Sequence, residues 1–429
     1  MTRGTVAELF AGVGGFRLAL EGYAGTSLPD TGWRVVWSDQ WEPQRRKQDA
    51  SDCYVSRFGP EGHVNEDITL VLDAAERGEL TIPEVDLLVG GFPCQDYSVA
   101  RVLSQAAGLQ GKKGVLWWEI HRFLKLFGPR FVLLENVDRL LKSPAQQRGR
   151  DLGVMLRCLN DLGYAVEWRV VNAADYGFPQ RRRRTFIVAE RVGIRAPFED
   201  AKEFIARDGV LAHALPAELA GSAAEQIHRA PSTPPSCILP RDVVELSDDF
   251  TFDFANAGAA FGGRVWSFKL EPRYDGPRQI LRDVLVEESE VPEDYFIPDR
   301  QLEQWLYLKG SKREERIART GFRYFYTEGA LPFPDPIELP SRTILTGEGG
   351  PSPSRFKHVV ETPSRRFRRL LPMELERLNG FVDDWTATGM SDRQRAFCMG
   401  NALVVGVVHR IGRQLAANAG LLAEAAPRT

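Results

Sequence analysis

Three features of the sequence predict an α/β fold with a second, smaller module. The apolar run Val6 to Phe10 leads into Ala11-Gly12-Val13-Gly14-Gly15, after which Phe16, Leu18, Ala19, Leu20 and Tyr23 recur at near-helical spacing, giving strand, glycine turn and helix. Apolar runs and helical periods then alternate as far as residue 190, the pattern of a sheet whose strands are joined through helices. From Arg191 to about Pro340 the alternation is lost. Ala- and Glu-rich stretches give way to the proline-rich connector His228-Arg229-Ala230-Pro231-Ser232-Thr233-Pro234-Pro235, and then to interleaved aromatic and basic residues. The expected division is a first domain over 1–190, a smaller one over 191–395, and a helical piece, 396–429, that returns to the first domain.

A chain of 429 residues with 43% hydrophobic and 26% charged residues can bury a large core and suits two domains. No apolar run approaches the roughly eighteen residues needed to cross a bilayer, and no charged-then-apolar leader opens the chain, so a cytoplasmic protein without a membrane partner is expected. The five cysteines, at 53, 94, 158, 237 and 398, are scattered and form no C-x-x-C pair. Neither disulfides nor a cysteine metal site is suggested. With a net charge of only −3, any nucleic-acid surface must be local.

The turn after the first strand lets a ligand lie against backbone amides at a helix N-terminus. Its glycines at 12, 14 and 15 give G-x-G-G rather than the dinucleotide fingerprint G-x-G-x-x-G, which disfavours a nicotinamide oxidoreductase. A second strand, Trp33 to Ser38, ends at Asp39-Gln40-Trp41-Glu42, where polar and aromatic groups suit a ribose and a base. Asp67 in Glu66-Asp67-Ile68 adds a further acidic point, although any of these acids also suits a helix cap.

The apolar run Leu87-Leu88-Val89 then ends in Gly90-Gly91-Phe92-Pro93-Cys94-Gln95. Free cysteines are mostly small buried hydrophobes, but Gly-Gly before this one and Gln-Asp-Tyr-Ser after it are poor core material. Pro93 fixes the backbone immediately before the thiol, so Cys94 is presented rather than packed. Ala100 to Gly114 reads as a basic loop, Trp117 to Phe127 as an amphipathic helix, and Arg130 to Leu134 as a strand ending at Glu135-Asn136-Val137. A carboxylate directly after apolar residues is costly unless it has a partner. Leu152 to Leu162 is a helix, Ala165 to Val171 a strand, and Gln180 with four arginines leads into the strand Thr185 to Ala189. Strand alternation puts Arg182 and Arg184 on one face. A guanidinium cluster in a chain of net negative charge suits phosphate or a base edge.

These residues resemble a family. Glu8-Leu9-Phe10-Ala11-Gly12-Val13-Gly14-Gly15, Gly91-Phe92-Pro93-Cys94-Gln95, Glu135-Asn136-Val137, Gln180-Arg181-Arg182-Arg183-Arg184 and Gly400-Asn401-Ala402-Leu403-Val404-Val405 look like the ordered motifs of the DNA (cytosine-5) methyltransferases. The resemblance covers roughly residues 5 to 190 and 365 to 412. It implies a Rossmann-like, S-adenosylmethionine-dependent methyltransferase domain with a mostly parallel sheet, plus a smaller target-recognition domain. It also implies methylation of carbon 5 of cytosine in duplex DNA, with Cys94 as nucleophile, Glu135 at ring nitrogen 3, Arg184 at the base carbonyl and Arg182 near the thiol. Phe10, Gly12, Gly15, Trp41, Asp67, Ile68, Pro93, Leu116 and Asn401 would line the cofactor pocket. The chain departs from the pattern at Gln40, where the family usually has a ribose-binding glutamate.

Within the second module, Phe261-Gly262-Gly263-Arg264-Val265-Trp266 and Gly321-Phe322-Arg323-Tyr324-Phe325-Tyr326 suit strands and loops lying on DNA, and Ser341 to Ser354 with Arg365 to Arg369 suit a DNA backbone or a plain surface loop. Two other readings share the resemblance: an RNA cytosine-5 methyltransferase, against which the long insert argues, and a catalytically silent DNA-binding partner, against which Cys94, Glu135 and Arg184 argue. A cognate restriction endonuclease is a partner the resemblance allows. No helix carries a sustained heptad, and a monomer is expected.

Overall fold

The computed structural model describes residues 3–43, 45–92, 116–193, 196–221, 235–317 and 321–422. Its frame is a ten-stranded sheet. Strands β1 (Gly4–Leu9), β2 (Trp33–Asp39), β3 (His63–Val64), β4 (Leu87–Gly91) and β5 (Phe131–Val137) form its parallel half in the order β3-β2-β1-β4-β5. The hairpin of β6 (Tyr164–Asn172) and β7 (Arg183–Arg191) adds antiparallel strands, with β7 inserted against β5. Beyond β8 (Ala217–Leu219), strands β9 (Ser236–Ile238), β10 (Ala257–Phe261) and β11 (Arg264–Phe268) complete the far edge, with β10 pairing against β6. Three two-stranded ribbons stand apart: β12 (Leu270–Pro272) with β8, β13 (Lys312–Ile317) with β14 (Arg323–Glu328), and β15 (Val359–Glu361) with β16 (Phe367–Arg369).

Because helices cover both faces of the parallel half, its strands are near-continuous apolar runs rather than alternating ones. Val6, Leu87, Val89 and Leu133 share one face with helices α1 (Gly15–Glu21) and α2 (Asp49–Phe58) and, from the far end of the chain, Val405–Asn418. Ala7, Leu9, Leu88 and Leu134 face the opposite layer, built from α3 (Ile68–Glu76), α4 (Leu116–Phe127) and α5 (Arg150–Asp161). The remaining long helices are α6 (Asp299–Lys309), α7 (Pro372–Asn379), α8 (Asp392–Asn401) and α9 (Val405–Asn418). Pro372 opens α7 at a first-turn position, where its missing N–H costs nothing. Helix α9 is fixed onto the first face by polar ties as well as packing: the Trp33 indole donates to the Gly412 carbonyl at 3.0 Å, and His409 Nδ1 lies 2.9 Å from the Ala19 carbonyl.

Candidate active site

With β2 and β4 on opposite sides of β1, the strand order reverses at β1, and the crevice at the C-terminal ends of these strands is where such sheets take ligands. The glycine turn sits there. Gly14 adopts the left-handed φ of 84°, and a Cβ on it would lie 2.4 Å from the Phe58 ring, so only glycine fits. Phe10 also has positive φ, 56°, a strained conformation for an aromatic residue of the kind that clusters at functional sites. The turn is tied to the end of β2: Ala11 N donates to the Asp39 carbonyl at 2.9 Å, and Gly12 N to Gln40 Oε1 at 2.7 Å.

Around this turn the structure gathers most of the residues that the sequence singles out for a cofactor. Gly15 opens α1 and packs against Leu403, next to Asn401 and Ala402. Trp41, beyond β2, is 38% exposed and offers an aromatic face on which a purine can stack. Asp67 caps α3 by accepting from Thr69 N at 3.0 Å, Ile68 is buried behind it, and Leu116 begins α4. Asp39 is buried with Oδ2 unpartnered; burial, reinforced by Asp67 and Glu66, pushes its carboxyl well above the usual range. An open glycine turn, an exposed indole and an unpartnered buried carboxyl fit a nucleoside-bearing group.

The second cluster lies across β4, β5 and β7. Gly91 pairs with Glu135 in the β4–β5 register, and Val137 with Arg184 in the β5–β7 register. Glu135 is buried, and Arg184 Nε approaches its Oε1 to 2.7 Å. The N–H does not point along that line, so Oε1 has no aligned donor and keeps its capacity to accept one. Asn136 donates to the Phe92 carbonyl at 3.1 Å, which anchors the chain just ahead of the cysteine loop. Pro93, Cys94 and the Ala100 to Gly114 loop lie outside the described residues.

Arg182 is only 2% exposed, and burial pushes its pKa well down. Its guanidinium donates to the carbonyls of Ile344 at 3.2 Å and Gly400 at 2.9 Å, joining the arginine strand to both C-terminal segments. Gly400 is also a glycine that packing demands, since a Cβ there would meet Thr346 N at 2.4 Å. The sequence pointed to two amides, Gln180 and Gln40, without showing the structural part each plays at the site. Gln180, fully buried, donates to Asn379 Oδ1 at 2.9 Å and accepts from Ile344 N at 3.1 Å. Gln40, read as a weakened ribose ligand, caps the glycine turn. The only signal for Gln180 is its place before four arginines.

The basic run 365–369 turns partly inward. Arg368 is 2% exposed and pairs with Glu374 through two bonds of 2.8 and 2.7 Å, and Arg369 donates to the Gly350 and Asp294 carbonyls. The 341–346 segment is likewise a strap rather than a surface loop: Ser341 and Ile344 are buried, and Arg181 N donates to the Ser341 carbonyl at 2.8 Å. Among the described residues, Cys53, Cys158, Cys237 and Cys398 are unpaired, and burial pushes all four thiols up, the first three to about 11, 12 and 12. None of these is disposed to act as a thiolate. No group of three or more His, Cys, Asp and Glu side chains among the described residues is placed to hold a metal ion, and no described helix is long and apolar enough to cross a membrane.

Fold and site together give an α/β protein with a glycine-turn crevice at the strand ends beside the buried Glu135–Arg184 pair. The family model for C-5 cytosine-specific DNA methylases matches residues 4–227 and 278–417. The chain is 43% identical over 421 residues to Type II methyltransferase M.Sau3AI of Staphylococcus aureus, covering 97% of this chain and 96% of that one. It is 36% identical over 186 residues to Type II methyltransferase M.HhaI of Haemophilus parahaemolyticus, covering 43% of this chain and 48% of that one. The S. pombe Dnmt2 methyltransferase shares the fold with a TM-score of 0.55 at 14% identity, over 95% of this chain and 96% of that one. The chain belongs to the C-5 cytosine-specific DNA methylase family and is a DNA (cytosine-5) methyltransferase.

Proposed function

We propose that the chain methylates carbon 5 of a cytosine flipped out of duplex DNA, using S-adenosylmethionine and covalent addition of Cys94. The observation that carries this reading is Glu135: a buried carboxylate held beside Arg184 with Oε1 lacking an aligned donor. Carbon 5 of cytosine is a poor nucleophile. Addition of the Cys94 thiolate to carbon 6 moves the ring electrons toward carbon 5, and a proton held by Glu135 at nitrogen 3 neutralises the charge that develops. Arg184 would hold the base carbonyl at the same edge, and the guanidinium groups of Arg182 and Arg184 would favour a thiolate nearby. S-adenosylmethionine, when bound, supplies the electrophilic methyl group; Gly12, Gly15, Trp41, Asp67 and Ile68 would hold it. Transfer of the carbon 5 proton to a solvent base and return of the nitrogen 3 proton to Glu135 then expel the Cys94 thiolate and restore the ring. The target carbon cannot be reached inside a duplex, so the base must leave the stack.

Target recognition is assigned to 191–395. The β13–β14 ribbon supports this: Ile317, Phe322 and Phe325 are 65%, 70% and 60% exposed, with Arg313 4.8 Å over the Phe325 ring. A two-stranded ribbon is of a size the major groove admits. The Type II methyltransferase relatives support a search for a cognate endonuclease, and action on genomic DNA as a cytoplasmic monomer is the working state. The test is transfer of labelled methyl from S-adenosylmethionine to genomic DNA, with sequencing that locates 5-methylcytosine. Marks in one short sequence context are expected. Incorporation into RNA but not DNA, or into neither, would overturn the reading.

A further inference from the structure

A cleft of about 670 Å³ opens on the other side of the same strand ends, and nothing in the proposed reaction uses it. Arg139, Lys142, Arg169, Arg183 and Lys269 line it, against Asp138 and Asp175. That is a local cationic excess in a chain whose net charge is −3. Asp138 directly continues β5 beyond Glu135, and Arg183 precedes Arg184 on β7, with Arg183 Nε 3.3 Å from Asp138 Oδ2. Since successive strand residues point to opposite faces, Arg183 faces away from the Arg184–Glu135 pair. Cleft and catalytic pair are therefore back to back on the ends of two strands.

At the floor, Arg169 is 3% exposed and holds the carbonyls of Ile205, Leu211 and Leu215 through its terminal nitrogens, which leaves Nε without a partner. At the mouth, Lys142 and Lys269 are exposed and make no ion pair with any described residue. Part of the wall, from Phe254 to Asn256 and from Lys269 to Pro272, comes from the stretch that the family model does not match. That part of the cleft thus lies outside the residues that the family model matches.

We propose that this cleft binds backbone phosphates of the DNA strand next to the flipped base, with Lys142 and Lys269 as its exposed contacts. The inference rests on the proposed DNA-methylating function. Lys142 follows the end of β5 and Lys269 the end of β11, so a strand that delivers its base beside β5 and β7 and continues along this edge of the sheet would pass both. Phosphate contacts of this kind position a duplex without reading its sequence.

The test is the salt dependence of binding to a fluorescent duplex of arbitrary sequence, measured by anisotropy on the full chain. For Lys142→Gln/Lys269→Gln, the slope of log affinity against log salt should become shallower by about 1.8, which is about 0.9 for each phosphate that a lysine no longer neutralises. S-adenosylmethionine binding by calorimetry and the melting temperature should not change. Arg34→Gln/Arg413→Gln, at two exposed cations away from the cleft, should keep the wild-type slope. An unchanged slope in the cleft variant, or an equal drop in the control, overturns the proposal. If the wild-type chain itself fails to bind or methylate DNA, the proposed function fails instead, and the two outcomes are told apart by the wild-type measurement.

Discussion

The parallel half of the sheet and the region from about 280 to 400 differ in how much paired charge they bury beside their apolar packing. In the first, β1, β4 and β5 bury Val6, Leu87, Leu88 and Phe131 to Leu134 almost completely, and most charges enter at the strand ends, where the site lies. In the second, an apolar core that includes Leu281, Ile344, Leu375 and Trp385 is accompanied by buried ion pairs. Lys309 and Asp335 are 1% and 2% exposed and 3.1 Å apart, Arg342 Nε donates to the same carboxylate at 2.6 Å, and Arg368 pairs with Glu374. Burial alone would raise the Asp335 pKa, but Arg342, His358 and Lys309 hold it down at about 2. Apolar packing gives stability without direction, whereas a paired buried charge fixes orientation at little net gain. The region proposed to carry target recognition is thus the richer in buried ion pairs.

This division stands or falls on removing one charge or one reactive group from each side. Cys94→Ala should abolish methyl transfer while DNA binding and the melting temperature stay near wild type; residual turnover in a clean preparation would refute the nucleophile assignment. Asp335→Ala should act oppositely. It strands Lys309 as an uncompensated buried cation, at a cost of about 3–5 kcal/mol. Thermal melting should show the loss, and Lys309→Met/Asp335→Leu should recover much of it. A melt unchanged in Asp335→Ala would mean that this ion pair does not help to hold the region. Glu135→Gln should lower turnover by about 10²–10⁴-fold with cofactor affinity preserved, and near-normal turnover would remove its assigned role.

The same contrast explains what the sequence made legible. Strand, glycine turn and helix at Val6 to Tyr23 follow from local pattern, as do α4, α5 and the parallel strands, because apolar runs and helical periods are short-range signals. The motif residues Glu135 and Arg184 stood out as charges at strand ends. The antiparallel extension β6-β10-β11-β9 was not legible, since pairing Ala257–Ala260 with Val166–Arg169 is a long-range choice that no local pattern encodes. Nor were the pairs Lys309–Asp335 and Arg368–Glu374: a lysine or arginine that is buried reads in sequence like one that is solvated. That is why Arg365 to Arg369 looked like a DNA-facing run when two of its arginines point inward.

One buried carboxyl on the apolar side tests the division from within. Glu8 is fully buried on β1, accepts from the Tyr54 hydroxyl at 3.1 Å and leaves Oε1 unpartnered. Burial raises its pKa to about 8 from 4.5, with Tyr54 and Arg17 only partly offsetting it. Between these values the folded chain keeps a proton that the unfolded chain has released, so stability falls as pH rises through the window. Glu8→Gln should flatten the melting temperature between roughly pH 5 and 8. An unaltered pH profile would show that Glu8 is ionised in the fold.

The smallest expected effect lies at Gln40, where the two kinds of interaction meet. Its amide oxygen accepts from Gly12 N, so the glycine turn already depends on it, and a glutamate can keep that bond. A carboxylate would add charge-assisted strength toward a ribose hydroxyl, since bonds to ionised acceptors are roughly twice as strong as neutral ones. The neighbouring Asp39, with its pKa pushed well up, opposes the added charge less than an ionised neighbour would. Gln40→Glu should therefore tighten S-adenosylmethionine binding, by about 1 kcal/mol or roughly fivefold, in calorimetry on the isolated chain. An unchanged dissociation constant would mean that the side chain serves the turn alone and that the ribose is held elsewhere.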